Sequence, residues 1–249
     1  MSTTKTEVAE STSKVRRRMP DVAPLLGFLI LLTVFFTITS EYFLDLDNFK
    51  NIFVALAVTG VVCVPGTMLM IAGQVDLSVG SSAAVSGMIL GNVVNSYGIA
   101  NGLLAVLVYG LVIGAINGFF VTVIGVNSLI TTLGTLATLY GIALLIGNGQ
   151  TLMMKNFEWL GTAQPAGIPL PILIFFVIAV VGIITLRRTR FGRSLYAIGS
   201  NPNAARVVGI RSNRILFATF VLSGLSSALA GAILCSQLSA GDPNAARGL

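Results

Sequence analysis

The residue best placed to do chemistry in this sequence is Asp76, a carboxylate flanked by Gln74 and Ser78 and set between two long apolar stretches. A carboxylate near the core of a membrane costs roughly 2.5–3.5 kcal/mol on insertion scales unless it is paired or hydrated. Two roles fit it. As the cap of a helix starting at Leu77, its charge favours the positive helix end and sits near water. As part of a solute path or gate, it meets the cargo directly. A proton-carrying role finds no support, because no second acidic residue lies in any apolar stretch to receive the proton.

Other polar side chains interrupt the apolar stretches: Asn92, Asn95, Asn117, Thr131, Thr132, Thr135 and Thr138. Thr131, Thr135 and Thr138 recur at i, i+4 and i+7 and so share one helix face. That face offers hydroxyls to a sugar. Its competing use is hydrogen bonding between helices or to the threonine's own backbone.

Several chemistries are excluded. There is no histidine, which removes Ser/His catalysis, HExxH zinc chemistry and histidine proton relays. An intramembrane aspartyl enzyme needs two membrane aspartates, and only Asp76 qualifies. No G-x-x-x-x-G-K-[ST] segment is present, so the chain supplies no ATP site of that kind. Cys63 and Cys235 lie inside apolar runs, which favours buried free thiols over a disulfide.

The elements that must position these residues follow from composition. Hydrophobic residues make up 55% of the chain, charged residues 10%, and there are 27 glycines. That much apolar surface suits a bundle of membrane helices. The net charge of +6 comes from arginines beside the apolar stretches, where they read as topology signals; nucleic-acid binding is not expected. Seven stretches stand out, at 22–40, 52–73, 77–97, 102–124, 128–146, 168–186 and 215–236. Each is near the ~20 residues needed to cross a bilayer.

Arg16, Arg17 and Arg18 place the N-terminus in the cytoplasm, and residues 1–21 read as a disordered cytoplasmic lead. Six crossings later the chain meets Arg187, Arg188, Arg190 and Arg193, again on the inside. The stretch 187–214 holds seven arginines and no acidic residue. Within it Asn201 can cap a helix, Pro202 fits the first position and Gly209 can end it. A short helix offered to the cytoplasm points to a partner there.

Three further features concern the helices themselves. Pro65-Gly66 is expected to break the second stretch, and interrupted segments often line binding sites. Gly110, Gly114 and Gly118 form a tandem GxxxG, and Gly87 with Gly91 another; both read as close helix packing within the bundle. The last residues, GDPNAARGL, look like the start of another helix with Asp242 as cap, so the sequence reads as part of a longer chain. PNAAR occurs at 202–206 and at 243–247, which shared helix-start chemistry explains.

The segments VDLSVGS (75–81), NGFFVTVIGVNSLITTLGTLATLYGIAL (117–144) and TRFGRSLYAIGSNPNAARVVGI (189–210) resemble the permease subunit of bacterial sugar ABC importers of the ribose type. The resemblance implies an all-α polytopic transmembrane bundle: a permease domain at 22–249, incomplete at its C-terminal end, with a cytoplasmic coupling loop at 187–214. It implies a bacterial inner-membrane protein with a second permease copy, a separate ABC ATPase subunit and a periplasmic sugar-binding protein as partners. ATP and Mg would sit on the ATPase, with no cofactor in this chain. Gly199, Asn201, Ala204, Ala205 and Gly209 carry over to the ATPase-coupling segment. Asp76, Ser78 and Gly80 fall in the family's DLSVG motif and, with Asn117, Thr131 and Thr135, are the candidates for the translocation path or gate. Asn127 stands where the family commonly has proline, so the turn into the fifth stretch is open to difference. A permease for branched-chain amino acids is the alternative within the class, and an ATP-independent carrier or channel the alternative outside it.

Overall fold

A computed structural model describes residues 22–155 and 157–246; the N-terminal lead expected at 1–21 lies outside them. The described residues are mostly helical and fall into two compact units that divide between Phe49 and Lys50. In the first, α1 (Ala23–Thr39) has Pro24 in its first turn and no buried residue. The hydroxyls of Thr33, Thr37 and Thr39 each donate to the carbonyl four residues back, so each threonine hydroxyl on this apolar helix is satisfied within it. Phe43 stacks on Phe36, with ring centroids 5.7 Å apart.

α2 (Leu46–Ile71) begins in the first unit and continues in the second. It runs unbroken through Pro65, contrary to the expected break. The interruption comes later, at Gly73 (φ +75°). There the Gly73 N–H donates to the Met70 carbonyl and the Gln74 N–H to the Leu69 carbonyl, a Schellman ending that needs the left-handed residue glycine supplies. Residues 74–78 are non-helical, and α3 (Val79–Tyr97) starts two residues beyond the expected Leu77.

α4 (Ile99–Phe119), continued by a π turn at Phe120–Ile124, and α5 (Ser128–Ile146) follow. Asn127 caps α5, its side chain accepting the Leu129 N–H at 2.8 Å, so the position expected to carry proline makes an ordinary helix start. A single turn, α6 (Trp159–Thr162), precedes α7 (Leu170–Arg188), and α10 (Ser212–Leu238) is the last long helix among the described residues. The segment 187–214 holds the expected short helix, here α9 (Pro202–Val207), preceded by another, α8 (Arg190–Ser200). Two-residue strands β1 (Leu152–Met153) and β2 (Ala240–Gly241) pair antiparallel, Leu152 opposite Gly241.

The expected glycine faces pack α4 and α3 on α10. A Cβ on Gly114 would lie 2.6 Å from the Phe220 carbonyl oxygen, and one on Gly110 2.8 Å from the Ala228 Cβ. Gly231 of α10 rests against the Ala83 carbonyl of α3 in the same way. Close backbone approach is what small residues provide in a membrane bundle.

Polar and apolar residues are arranged as a membrane demands. Ser78, Ser82, Ser86, Asn117, Ser223 and Ser227 are buried, whereas Phe176, Val177 and Ile183 of α7 face outward. Five helices, at Leu46–Ile71, Ile99–Ile124, Ser128–Ile146, Leu170–Arg188 and Ser212–Leu238, have the length and apolarity to cross a bilayer. α1 is shorter, and α3 carries four serines and two asparagines. The seven apolar stretches thus give five such spans plus two helices that fall below the same measure. Of the polar residues of α3, Ser82 and Ser86 are buried, whereas Asn92, Asn95 and Ser96 toward its C-terminal end are exposed. Cys235 is buried and free as expected; Cys63 is also free but lies on the surface.

Candidate functional site

Asp76 sits in the unwound segment between α2 and α3, half-buried. Its Oδ1 accepts the Ser78 N–H at 3.0 Å and the Ser78 hydroxyl at 2.6 Å. Its Oδ2 accepts the hydroxyl of Ser223 at 2.7 Å. Ser223 is fully buried and lies eleven residues into α10, about 16 Å along that helix. The chain therefore turns back into the bundle after α2, and α3 begins at depth. Unwound backbone is tolerated at such depth only where protein surrounds it or it lines a watery cavity. The Gln74 N–H is used by the helix ending, the Val75 N–H donates to the Ser128 hydroxyl at 3.4 Å, and the Ser78 N–H is taken by Asp76.

The hydrogen bonds continue outward from Ser78. The Asn117 amide donates to its hydroxyl oxygen at 2.9 Å. Thr135 in turn donates to Asn117 Oδ1 at 2.7 Å, with the Thr131 carbonyl as the other acceptor within reach of its single proton, at 3.0 Å. One connected chain, Ser223–Asp76–Ser78–Asn117–Thr135, thus joins α10, the start of α3, α4 and α5. Between Lys50 and Lys155 there is no basic residue, so hydroxyl and amide donors and the positive end of α3 hold the carboxylate.

Of the six candidates for the path, Asp76, Ser78, Asn117 and Thr135 belong to this chain. The Thr131 hydroxyl is buried without a partner among the described residues, and Gly80 lies in the first turn of α3 without a side chain to join. Thr138 donates to its own helix at Gly134. The capping reading of Asp76 is amended: the helix-capping position is Ser78, whose side chain makes no cap bond, and Asp76 holds Ser78 and α10 at once. Sequence reasoning missed Ser223 and a second level above it, where Ser227 and Tyr109 both donate to the Ser82 hydroxyl, at 2.9 and 3.3 Å, and Ser86 donates to the Ala228 carbonyl at 2.6 Å. The signal was present as Ser78, Ser82 and Ser86 at i, i+4 and i+8 and Ser223 and Ser227 at i and i+4.

The second candidate region is the α8–α9 pair. Thr189 caps α8 by accepting the Gly192 N–H at 3.1 Å. Asn201 caps α9 by accepting the Asn203 and Ala204 N–H groups, both at 3.0 Å, and Pro202 takes the first position. Gly209 (φ +81°) ends it, with Gly209 N–H on Arg206 O and Ile210 N–H on Ala205 O. These local expectations match the geometry. Two of the five coupling candidates are turned inward. Ala205 is 2% exposed and packs with Met68, Ala72, Leu195 and Ile198. Gly199 is pressed against the Ile71 carbonyl at the end of α2. The amphipathic face of α8 pulls both inward, leaving Ala204, Val207 and Val208 outward, the valines 87% and 74% exposed. The second PNAAR copy also follows an Asx side chain that accepts an N–H two residues on, Asp242 Oδ1 from Asn244 at 2.8 Å. Its described residues form a turn.

The family described as branched-chain amino acid transport system / permease component matches residues 48–248. The ribose import permease protein of Escherichia coli (strain K12) is 33% identical over 233 residues, 90% of this chain and 72% of that protein. The D-allose transport system permease protein of the same organism is 32% identical over 225 residues, 88% of this chain and 68% of that protein. The L-arabinose ABC transporter permease protein of Azospirillum brasilense is 34% identical over 229 residues, 89% and 66%. No solved structure matches the chain. With five apolar helices fit to cross a membrane and most of its length matched, this chain belongs to that family of transport-system permease components, to which its sugar-permease relatives tie it along nearly its whole length.

Proposed function

We propose that the chain is the membrane-spanning subunit of an importer for a monosaccharide, a pentose or hexose, driven by a separate ATPase. The observation that carries this reading is the 32 to 34% identity, along most of the chain, to permeases named for ribose, D-allose and L-arabinose. The hydroxyl- and amide-rich interior suits a neutral polyol. A branched-chain amino acid, the cargo in the family's description, carries an ammonium and a carboxylate. The bundle between Lys50 and Lys155 offers Asp76 to the first and no basic side chain to the second, although a helix N-terminus could take a carboxylate.

In this reading two permease copies form the path, a periplasmic binding protein delivers the sugar, and an ATPase holding ATP and Mg seats on the outward face of α9. The arginine-rich end and the N-terminus are then cytoplasmic, by the bias of basic residues toward that side. The coupling route follows the packing. α9 rests through Ala205 on Met68 of α2 and Ala72 just beyond it, and α2 leads through Gly73 to Asp76. Movement of α9 therefore reaches the unwound segment through rigid contacts, and shifts the bundle between inward-open and outward-open populations.

The test is to express the chain with an N-terminal tag alongside its genomic neighbours, purify it gently, and identify what accompanies it by mass spectrometry. Uptake of labelled ribose, arabinose, allose and leucine is measured in the same cells. A co-purifying ATPase with uptake of one sugar supports the reading. A folded chain without an ATPase favours a carrier or channel, and leucine uptake favours the amino-acid cargo.

A further inference from the structure

An apolar cleft of about 350 Å³ opens between α2, α7 and α10, bordered by Val64, Met68, Val181, Thr185, Leu222 and Leu225. α7 touches α2 at two glycines, Gly60 against the Phe175 ring and Gly182 against Val64, which leaves the gap on its α10 side. Through Thr185 and Leu222, which border both, it is continuous with a second apolar cleft of about 440 Å³ that reaches Phe191 and Phe217.

The helix faces that line these clefts end in arginines. Arg188 follows Val181 and Thr185 at i+7 and i+3 on α7, which puts it on the helix face that borders the cleft. Arg214 precedes Ala218, Val221 and Leu225 on α10 at i+4, i+7 and i+11, on the same face. Both are exposed. The sequence has no carboxylate from 159 to 241, and neither guanidinium has an ion-pair partner among the described residues. Two exposed cations on the helix faces that border a continuous apolar slot, at the end of membrane helices, complement an anionic headgroup carrying acyl chains.

We propose that an anionic phospholipid binds here, its acyl chain in the α2–α7–α10 cleft and its phosphate between Arg188 and Arg214. This site is separate from the Asp76 chain and does not depend on the identity of the transported solute.

The experiment uses the purified, delipidated chain in mild detergent, titrated with dioleoyl phosphatidylglycerol or dioleoyl phosphatidylcholine and read by native mass spectrometry. Two basic side chains near a headgroup predict a preference for phosphatidylglycerol on the order of thirtyfold. Arg188→Gln/Arg214→Gln reduces the preference to within about twofold, whereas Arg187→Gln/Arg193→Gln, with the same charge change elsewhere, keeps it. Ala218→Phe, which fills the slot, weakens binding of both lipids. Equal binding of the two lipids to the unmodified chain overturns the proposal. So does a preference that falls equally in both double variants, which reveals a diffuse surface charge. A third overturning result is a cysteine cross-link at Val181 to another protein segment in intact membranes, which shows the slot filled by protein.

Discussion

Ser223, buried in the middle of α10, donates its hydroxyl proton to Asp76 Oδ2 at 2.7 Å and thereby ties the unwound start of α3 to a helix 147 residues away in sequence. The bond fixes where α3 begins. It also gives the carboxylate a donor from the helix that follows the α8–α9 pair, so the two candidate regions lie at the ends of continuous elements.

Removing either partner should therefore have linked consequences. Ser223→Ala is expected to destabilise the folded chain by about 1.5–3 kcal/mol, the range for a hydrogen bond to a charged group. In an Asp76→Asn background the same change should cost clearly less, because the charge is already gone. Thermal unfolding of the four proteins in one detergent measures this. Additive losses would show that the two side chains are energetically independent. Asp76→Asn should also impair transport more than protein level if the segment gates the path; equal loss of both favours a purely structural tie.

The α9 surface makes a second prediction. Ala205→Arg should lower the amount of folded protein, because it forces a charge into the cluster around Met68 and Ile198. Val207→Glu or Val208→Glu should leave folding intact and abolish retention of the ATPase. Protein level by fluorescence size-exclusion and co-purification of the partner separate the two. Normal folding of Ala205→Arg with loss of the partner would place Ala205 on the docking face instead.

Glycines at helix contacts and glycines in open space should respond in opposite directions. Gly114→Leu is expected to disrupt the α4–α10 contact, since even a Cβ meets the Phe220 carbonyl at 2.6 Å. Gly134→Ala has nothing within 4 Å and should stabilise α5 by about 0.4–1 kcal/mol through the unfolded chain. Melting temperatures decide; a destabilised Gly134→Ala would indicate a helix packed on that face in the membrane.

The position of the helix break can be tested in the same way. Gly73→Ala places a Cβ at φ +75° and should cost about 1–2 kcal/mol. Gly66→Ala, within continuous α2 and open space, should be neutral or mildly stabilising. If Gly66→Ala were the more damaging, the break would lie at Pro65 after all.

Much of this chain is determined by local sequence. Asn201, Pro202 and Gly209 start and stop α9 because capping and left-handed endings depend on a few adjacent atoms. The apolar stretches specify helices because length and hydrophobicity are properties of a segment. The family is legible in short motifs for the same reason. Tertiary structure decided what depends on a partner far along the chain. α2 passes through Pro65 and stops at Gly73 with the chain then turning back into the bundle, where Ser223 and Ser128 receive it. Ala205 and Gly199 face inward because the end of α2 packs there, which nothing within 199–209 reveals. Asp76 reads equally as a cap or a gate in sequence because its second oxygen finds its donor only when α10 folds beside it.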